Sequence, residues 1–359
     1  MVNTVNASRL IFDGVKQCLF LQKTAIPSVK LNSTKFAEIL LASICGSDIH
    51  TITGRRSEPT PSVLGHEAVI KLDNKRWTFS IYASGCSSLS DPQSKCDICK
   101  YVSNPAIPQK CQLLFKYGHS KVSNDIDNLE MAYTGAYASH VVIRQGTTLC
   151  AIPDCISDEL AATINCSLAT MINALSKAPS SVDGFGNAVI LGDGLLAMYG
   201  AMILKEELGY NNVYIFGNTR SFRSELIQDF GFIPDYSRNN VSRLNGKVDV
   251  VVETAGNKKV LQGVNDLLRP GGSLILVGLV LPDSHLPFSC EDIIRKNLTL
   301  HGIHNYSGKD LEKAVDFLVK ANNKYDLKRI MGPIFELDKF DDAFKAAQSK
   351  KYYRVFIRP

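Results

Sequence analysis

Apolar and polar positions follow two different rhythms along the chain. Up to residue 45 the apolar stretches are short and show no helical period: Leu10-Ile11-Phe12, Gln17-Cys18-Leu19-Phe20-Leu21, then 36–44. They read as strands separated by turns. A loop follows over 51–66, punctuated by Gly54, Pro59 and Pro61. Strand character returns at 136–143 and 148–152. Ser157, followed by Asp158 and Glu159, opens a helix, the acidic pair suiting the positive end of its dipole. A second helix is expected over 167–177. From 187 the order becomes strand and helix in alternation. Strands are expected at 187–191, 213–216, 232–234, 248–252, 273–277 and 298–301, with helices at 195–208, 221–230, 257–268 and 288–296. These strands are continuous apolar runs, as in a sheet covered on both faces. Six of them with intervening helices predict an α/β, doubly wound parallel sheet. A helix over 309–321 and a strand over 352–357 close the chain.

The bulk composition narrows the class. At 359 residues there is room for two domains, each with its own core. A hydrophobic fraction of 45% and a charged fraction of 21% are ordinary for a globular chain. The net charge of +5, without a run of five Lys or Arg, argues against a nucleic-acid surface. No apolar stretch reaches the roughly 18 residues of a membrane span. The first residues, Met-Val-Asn-Thr-Val-Asn-Ala-Ser, lack a basic region before an apolar core, so no secretory signal is expected. A cytoplasmic, reducing compartment follows, in which the ten cysteines stay free or bind metal.

Candidate chemistry begins at Cys45-Gly46-Ser47-Asp48-Ile49-His50, directly after the strand at 36–44. A thiol, a hydroxyl, a carboxylate and an imidazole lie within six residues. Gly65-His66-Glu67 adds a second imidazole and another carboxylate, and Asn165-Cys166 a second thiol. Taken singly, a cysteine at a strand end is most often a small buried hydrophobe, and a histidine is merely hydrogen-bonded. Together, two cysteines and one histidine suit a catalytic zinc that keeps a fourth position for water or substrate. Ser47 and His50 stand where a proton relay is needed. Cys166, near the start of the helix at 167–177, is expected to have a lowered pKa.

Residues 82–120 form a long irregular segment, and such a length needs a reason. Cys96-x-x-Cys99 is a pair that holds one ion, and Cys86 and Cys111 could complete four thiolates. The alternative is a loose loop with stray thiols. Arg55 and Arg56 are either solvated or anion-binding at a cleft mouth.

The run Ala188-Val189-Ile190-Leu191-Gly192-Asp193-Gly194-Leu195-Leu196-Ala197 has the G-x-G-x-x-A form of a dinucleotide turn. Gly192 permits the tight turn, Gly194 lets backbone approach a pyrophosphate, and Ala197 lets helix pack close to strand. The pyrophosphate would rest on the amides where Leu195 opens the helix. About twenty residues on, where an acid would take the ribose 2′-hydroxyl of NAD, stands Phe216-Gly217-Asn218-Thr219-Arg220. It has no carboxylate. Gly217 leaves room, and Asn218, Thr219 and Arg220, with Arg223, could take a 2′-phosphate, whose geometry an arginine fork matches. The expected coenzyme is therefore NADP(H) rather than NAD(H). The plainer reading leaves both arginines exposed on the following helix.

These residues, with the cysteine-rich lobe and Arg269-Pro270-Gly271-Gly272, resemble the zinc-containing medium-chain dehydrogenase/reductase family, alcohol dehydrogenase-like, over nearly the whole chain. The nearest branch is the phosphonate-catabolism-associated alcohol dehydrogenases. That likeness rests on His50-Thr51 through Gly54-Arg55-Arg56, on Pro108-Gln109-Lys110-Cys111 through Lys116-Tyr117-Gly118-His119, and on Gly302-Ile303-His304-Asn305-Tyr306. The resemblance implies a GroES-like β-rich catalytic domain over 1–156 and 304–359, with its zinc-binding lobe at 82–120. It implies a six-stranded Rossmann domain over 157–303. Cys45, His66 and Cys166 would hold the catalytic zinc, with Glu67 beside it. Asp48 would orient His66. Ser47 and His50 would relay the alcohol proton. Arg354 would contact the pyrophosphate, and Cys86, Cys96, Cys99 and Cys111 would hold a structural zinc. His50, Tyr117, His119 and His304 become pocket candidates, and Arg55, Arg56 and Lys116 would favour an acidic substrate. A homodimer through the edge of the nucleotide-binding sheet is implied. The chain departs from the pattern at Ala68-Val69-Ile70-Lys71, where the usual glycine is missing, in the short link 71–76, which lacks a Gly-Asp turn, and at Gly46, where some relatives carry an arginine.

The activity this predicts is zinc-dependent hydride transfer between NADP(H) and a small alcohol or its aldehyde or ketone. The rivals are an NADPH-dependent conjugate reductase of activated alkenes and a non-catalytic cofactor-binding protein, since fold alone does not fix function.

Overall fold

In the computed structural model, which describes all residues except 1–3, 15–18, 28–34, 102–107, 124–127, 185, 218–221, 237–240 and 279–284, the chain divides into two units. Met1–Cys166 and Tyr306–Pro359 form one, and Ser167–Asn305 the other. Three expected coenzyme residues, Asn218, Thr219 and Arg220, lie outside the described residues.

In the first unit, β1 (Thr4–Phe12) and β2 (Leu19–Pro27) pair as an antiparallel ribbon. The main sheet is built on β3 (Phe36–Ser43), β4 (Glu67–Leu72), β5 (Lys75–Ser84) and β6 (Leu114–Lys116). β7 (His140–Val142) joins β3 and β8 (Thr147–Ala151) joins β5. Late in the chain β15 (Ile334–Glu336) and β16 (Phe356–Arg358) complete an eight-stranded sheet in which β16 lies on β3. The link lacking a Gly-Asp turn closes differently. Leu72 faces Lys75, and Asp73 and Asn74 between them have φ of 51° and 58°. Both central residues of a two-residue hairpin at positive φ is the turn that matches strand twist, and Asp and Asn tolerate it. The core gathers Leu10, Ile39, Val63, Ile70, Phe79 and Tyr137, all buried. Each such side chain contributes about 1.5–3 kcal/mol by leaving water.

The second unit is one parallel sheet. Its strands are β9 (Asn187–Leu191), β10 (Asn212–Phe216), β11 (Ile233–Asp235), β12 (Val248–Glu253), β13 (Leu268–Leu276) and β14 (Thr299–Gly302). They lie in the order β11-β10-β9-β12-β13-β14. The direction of growth reverses between β9 and β12, which makes a topological switch point at the carboxyl end of β9. The helix expected over 257–268 is instead two short turns, Lys258–Leu261 and Val264–Leu267, because Gly263 sits at φ 78° between them. A helix at Phe340–Gln348 was not foreseen. No helix among the described residues is long and apolar enough to cross a membrane.

Candidate active site

Three pieces of the first unit converge. β3 runs into Cys45, which caps helix α1 (Gly46–Ile52). β4 lies antiparallel to β3 with Glu67 opposite Ser43, so His66 arrives beside Cys45. Cys166 comes from the π-helical turn Ile164–Leu168, a widened turn of the kind frequent at functional sites. One donor atom each from Cys45, His66, Glu67 and Cys166 lies within 4.8 Å of all the others. Asn165 fixes two of the pieces together. Its amide donates to the carbonyls of His66 (3.0 Å) and Phe79 (2.9 Å), while its own carbonyl accepts from the Tyr306 hydroxyl.

The surroundings favour charge in this buried place. Asp48 Oδ1 stands 3.5 Å from His66 Nδ1. Its other oxygen accepts from the Cys45 amide and the Tyr137 hydroxyl, each at 2.9 Å. Gly65, at φ +86°, is what lets that tyrosine in: a β-carbon there would lie 2.7 Å from its ring. The Cys45 thiol is pulled well below its ordinary pKa by a hydrogen bond from Cys166, against the effect of burial, with help from Arg354 and His66. Burial opposes a charge on His66, yet Asp48 and Cys45 raise it to about 10. Burial lifts the Glu67 carboxyl to about 8 despite Arg354. Cys166 was expected to have a lowered pKa at a helix start. It lies inside the π-helical turn instead, and its hydrogen bond to Cys45, together with burial, raises it.

The remaining expected residues fall as follows. Arg354, expected at a pyrophosphate, has its buried guanidinium on Glu67 at 2.7 Å and on Cys45 Sγ at 3.9 Å. Glu67 also accepts from Ser43. The Ser47 Oγ and His50 Nδ1 atoms are shielded from solvent and make no hydrogen bond to a described residue. Burial, then Arg55 and Arg56, lower the pKa of His50, so its ring is neutral at neutral pH. His119 lies 4.9 Å from the His66 ring, centre to centre, and its Nδ1 is 2.9 Å from Glu58. Arg56 is paired with the same carboxylate at 2.7 Å. Tyr117 is no pocket residue. It is fully buried, with its hydroxyl between Thr147 and the Arg144 amide. Tyr137, Ser43 and Asn165 were missed as supports, because their partners Asp48, Glu67 and His66 lie 89, 24 and 99 residues away and leave no local pattern.

The second cluster is Cys86, Cys96, Cys99 and Cys111, whose sulfurs also lie within 4.8 Å of one another. Cys96 and Cys111 are 3.9 Å apart. A disulfide requires about 2.05 Å, whereas tetrahedral bonds of about 2.3 Å to one zinc place two sulfurs about 3.8 Å apart. The residues fit a zinc ion, and all described cysteines are free thiols. The Gln112 amide, at 3.4 Å, lowers the Cys96 thiol to about 6.

In the second unit, Gly192 at φ +121° turns the chain out of β9, where a β-carbon would meet Thr254 at 2.6 Å. Gly194 caps helix α2 (Leu195–Glu206) without a side chain, and nothing lies within 4 Å of where its β-carbon would be. The turn and the first amides of α2 thus form an open anion cradle. Leu195 and Ala197 are buried against the sheet. At Gly217, expected to leave room for a 2′-phosphate, a β-carbon would lie 2.1 Å from the Tyr236 ring and 2.7 Å from the Asp193 carboxylate.

Comparison with known proteins bears on the family and the fold. The family model for the glucose dehydrogenase C-terminus matches residues 171–352. Sorbitol dehydrogenase of Halalkalibacterium halodurans is 24% identical over 334 residues, covering 90% of each chain. The alcohol dehydrogenase structure from Thermotoga maritima superposes with a TM-score of 0.81 at 21% identity, over 99% of this chain and 100% of that one. A Sinorhizobium meliloti structure bound to NADP gives 0.79 at 17% identity, over 99% and 100%. The fold is that of these structures, a GroES-like unit and a Rossmann unit.

Proposed function

This chain belongs to the zinc-type alcohol dehydrogenase family, and from that premise we propose that it transfers hydride between a nicotinamide dinucleotide and an alcohol or its carbonyl partner. The observation that carries the reading is the convergence of Cys45, His66, Glu67 and Cys166 within one donor shell. A zinc ion held there would supply Lewis acidity toward a substrate oxygen, and a bound dinucleotide would supply hydride chemistry.

The chain's own residues do the rest. Cys45, His66 and Cys166 hold the ion. Glu67 lies close enough to join them and is steadied by Arg354 and Ser43. Asp48, itself fixed by Tyr137, faces Nδ1 of His66 and leaves Nε2 for the metal. Ser47 offers an uncommitted hydroxyl, and His50 a neutral imidazole that accepts a proton and passes it to solvent. The turn from Gly192 to Ala197 cradles the pyrophosphate. Cys86, Cys96, Cys99 and Cys111 hold a second, structural zinc.

NADP(H) was expected because no carboxylate follows β10. The Asp193 carboxylate lies 2.7 Å from where a Gly217 β-carbon would stand, an observation that bears on that choice of coenzyme. The narrower kinship with the phosphonate-catabolism-associated branch rests on the sequence motifs alone. A homodimer through an edge of the six-stranded sheet and a reducing, cytoplasmic setting for the free thiols complete the reading.

The test is zinc analysis coupled to oxidation of NADH and NADPH against a panel of aldehydes and ketones. Coenzyme oxidation that depends on zinc supports the proposal. Full turnover by a zinc-free His66→Ala variant refutes it.

A further inference from the structure

The Rossmann rule places an acid at the end of the second strand to accept the ribose 2′-hydroxyl, and this chain has Gly217 there. The structure fills the position from another part of the chain. The Asp193 carboxylate, rooted in the middle of the glycine turn, reaches within 2.7 Å of where a Gly217 β-carbon would stand. Any side chain at 217 would collide with it, so the glycine is what admits the carboxylate. Arg223 donates from Nη1 to Asp193 Oδ1 at 3.2 Å and to the Asp193 carbonyl at 3.1 Å. The pair is largely buried, with side chains 11% and 19% exposed for Arg223 and Asp193. Beside it the Tyr236 hydroxyl is shielded from solvent and makes no hydrogen bond to a described residue.

We infer that Asp193 replaces the missing strand-end acid and selects NAD(H) over NADP(H), with Arg223 as its positioning residue. The inference rests on the dinucleotide reading of the glycine turn. A 2′-hydroxyl is a donor that this carboxylate accepts, whereas a 2′-phosphate adds close to two negative charges beside it. Arginine would suit a phosphate, but Arg223 already holds Asp193. Phosphate must break that pair and leave a buried carboxylate uncompensated.

Isothermal titration of the zinc-loaded protein with NADH and with NADPH reads this without turnover. The wild type should bind NADH at least about tenfold more tightly, the worth of one hydrogen bond to a charged group. Asp193→Asn, of equal shape, should weaken NADH about tenfold and strengthen NADPH, inverting the order. The double variant Asp193→Asn/Arg223→Ala should lose the NADPH gain. Should Asp193→Asn melt early, competition on the wild type decides instead, and 5′-AMP should bind more tightly than 2′,5′-ADP. A wild type that prefers NADPH, or a coenzyme ratio untouched by Asp193→Asn, overturns the inference and leaves the oxidoreductase reading standing. A wild type that binds neither coenzyme overturns the dinucleotide reading, and the inference with it.

Discussion

The two sulfur clusters of the first unit take the same kind of ligand and use it differently. Cys86, Cys96, Cys99 and Cys111 come from one stretch of short turns and offer four like donors, the full set for a tetrahedral site. Cys45, His66, Glu67 and Cys166 come from the ends of β3 and β4 and from a distant π-helical turn. Their donors are mixed, and two of them are held from behind: His66 by Asp48, which Tyr137 fixes in turn, and Glu67 by Arg354, while Asn165 holds the His66 carbonyl. Closed sulfur shells stabilise folds, while mixed shells with supported ligands leave a position for chemistry. The difference is thus one of ligand mix, support and origin.

The comparison breaks most visibly at His66. His66→Ala should cost at least about a thousandfold in turnover, the several kcal/mol that a Lewis acid supplies, and one zinc per chain, while circular dichroism stays native. Cys99→Ser should do the converse. It should lose the other zinc and lower the melting temperature by about 5 °C or more, since about 2 kcal/mol moves a unit of this size that far. Turnover per remaining zinc should hold. If either variant produces the other's phenotype, the assignment of roles is reversed.

Acidity sharpens the contrast further. Zinc must displace the proton that Asp48 and Cys45 hold on His66 up to about 10. Affinity at this centre should therefore rise about tenfold per pH unit for that proton from neutral pH toward 10. The metal-free fold behaves oppositely. A pKa raised above its ordinary value stabilises the fold at pH values below 6.5, and that stability is lost as pH climbs to about 10. Melting curves with and without zinc across this range should diverge as pH rises, and parallel curves would reject the proton's role. The smallest effect is expected from Tyr137→Phe. It removes the hydroxyl on Asp48 and should weaken zinc about 10- to 100-fold, as supports of metal ligands do. Competition with a chelator measures it.

Much of this was legible from residue patterns. Continuous apolar runs gave the strands of the parallel sheet, and Gly192 and Gly194 gave its turn, because both depend on neighbours in the chain. Cys96-x-x-Cys99 was legible for the same reason. The convergence of Cys45, His66 and Cys166 was suggested by their types and by family resemblance, since no spacing rule joins residues so far apart. Three things were not legible. The raised pKa of Cys166 depends on a sulfur from another element. The support of Tyr137 crosses from beyond β6 to α1. The carboxylate beside Gly217 comes from the turn rather than from the strand where such an acid is sought.

Diffraction from zinc-saturated crystals at the zinc absorption edge tests the central claim most directly. The account predicts an anomalous peak bonded to the sulfurs of Cys45 and Cys166 at about 2.3 Å and to a His66 nitrogen at about 2.0–2.1 Å. An ordered site with no peak there, whatever appears among the four cysteines of the lobe, would contradict it.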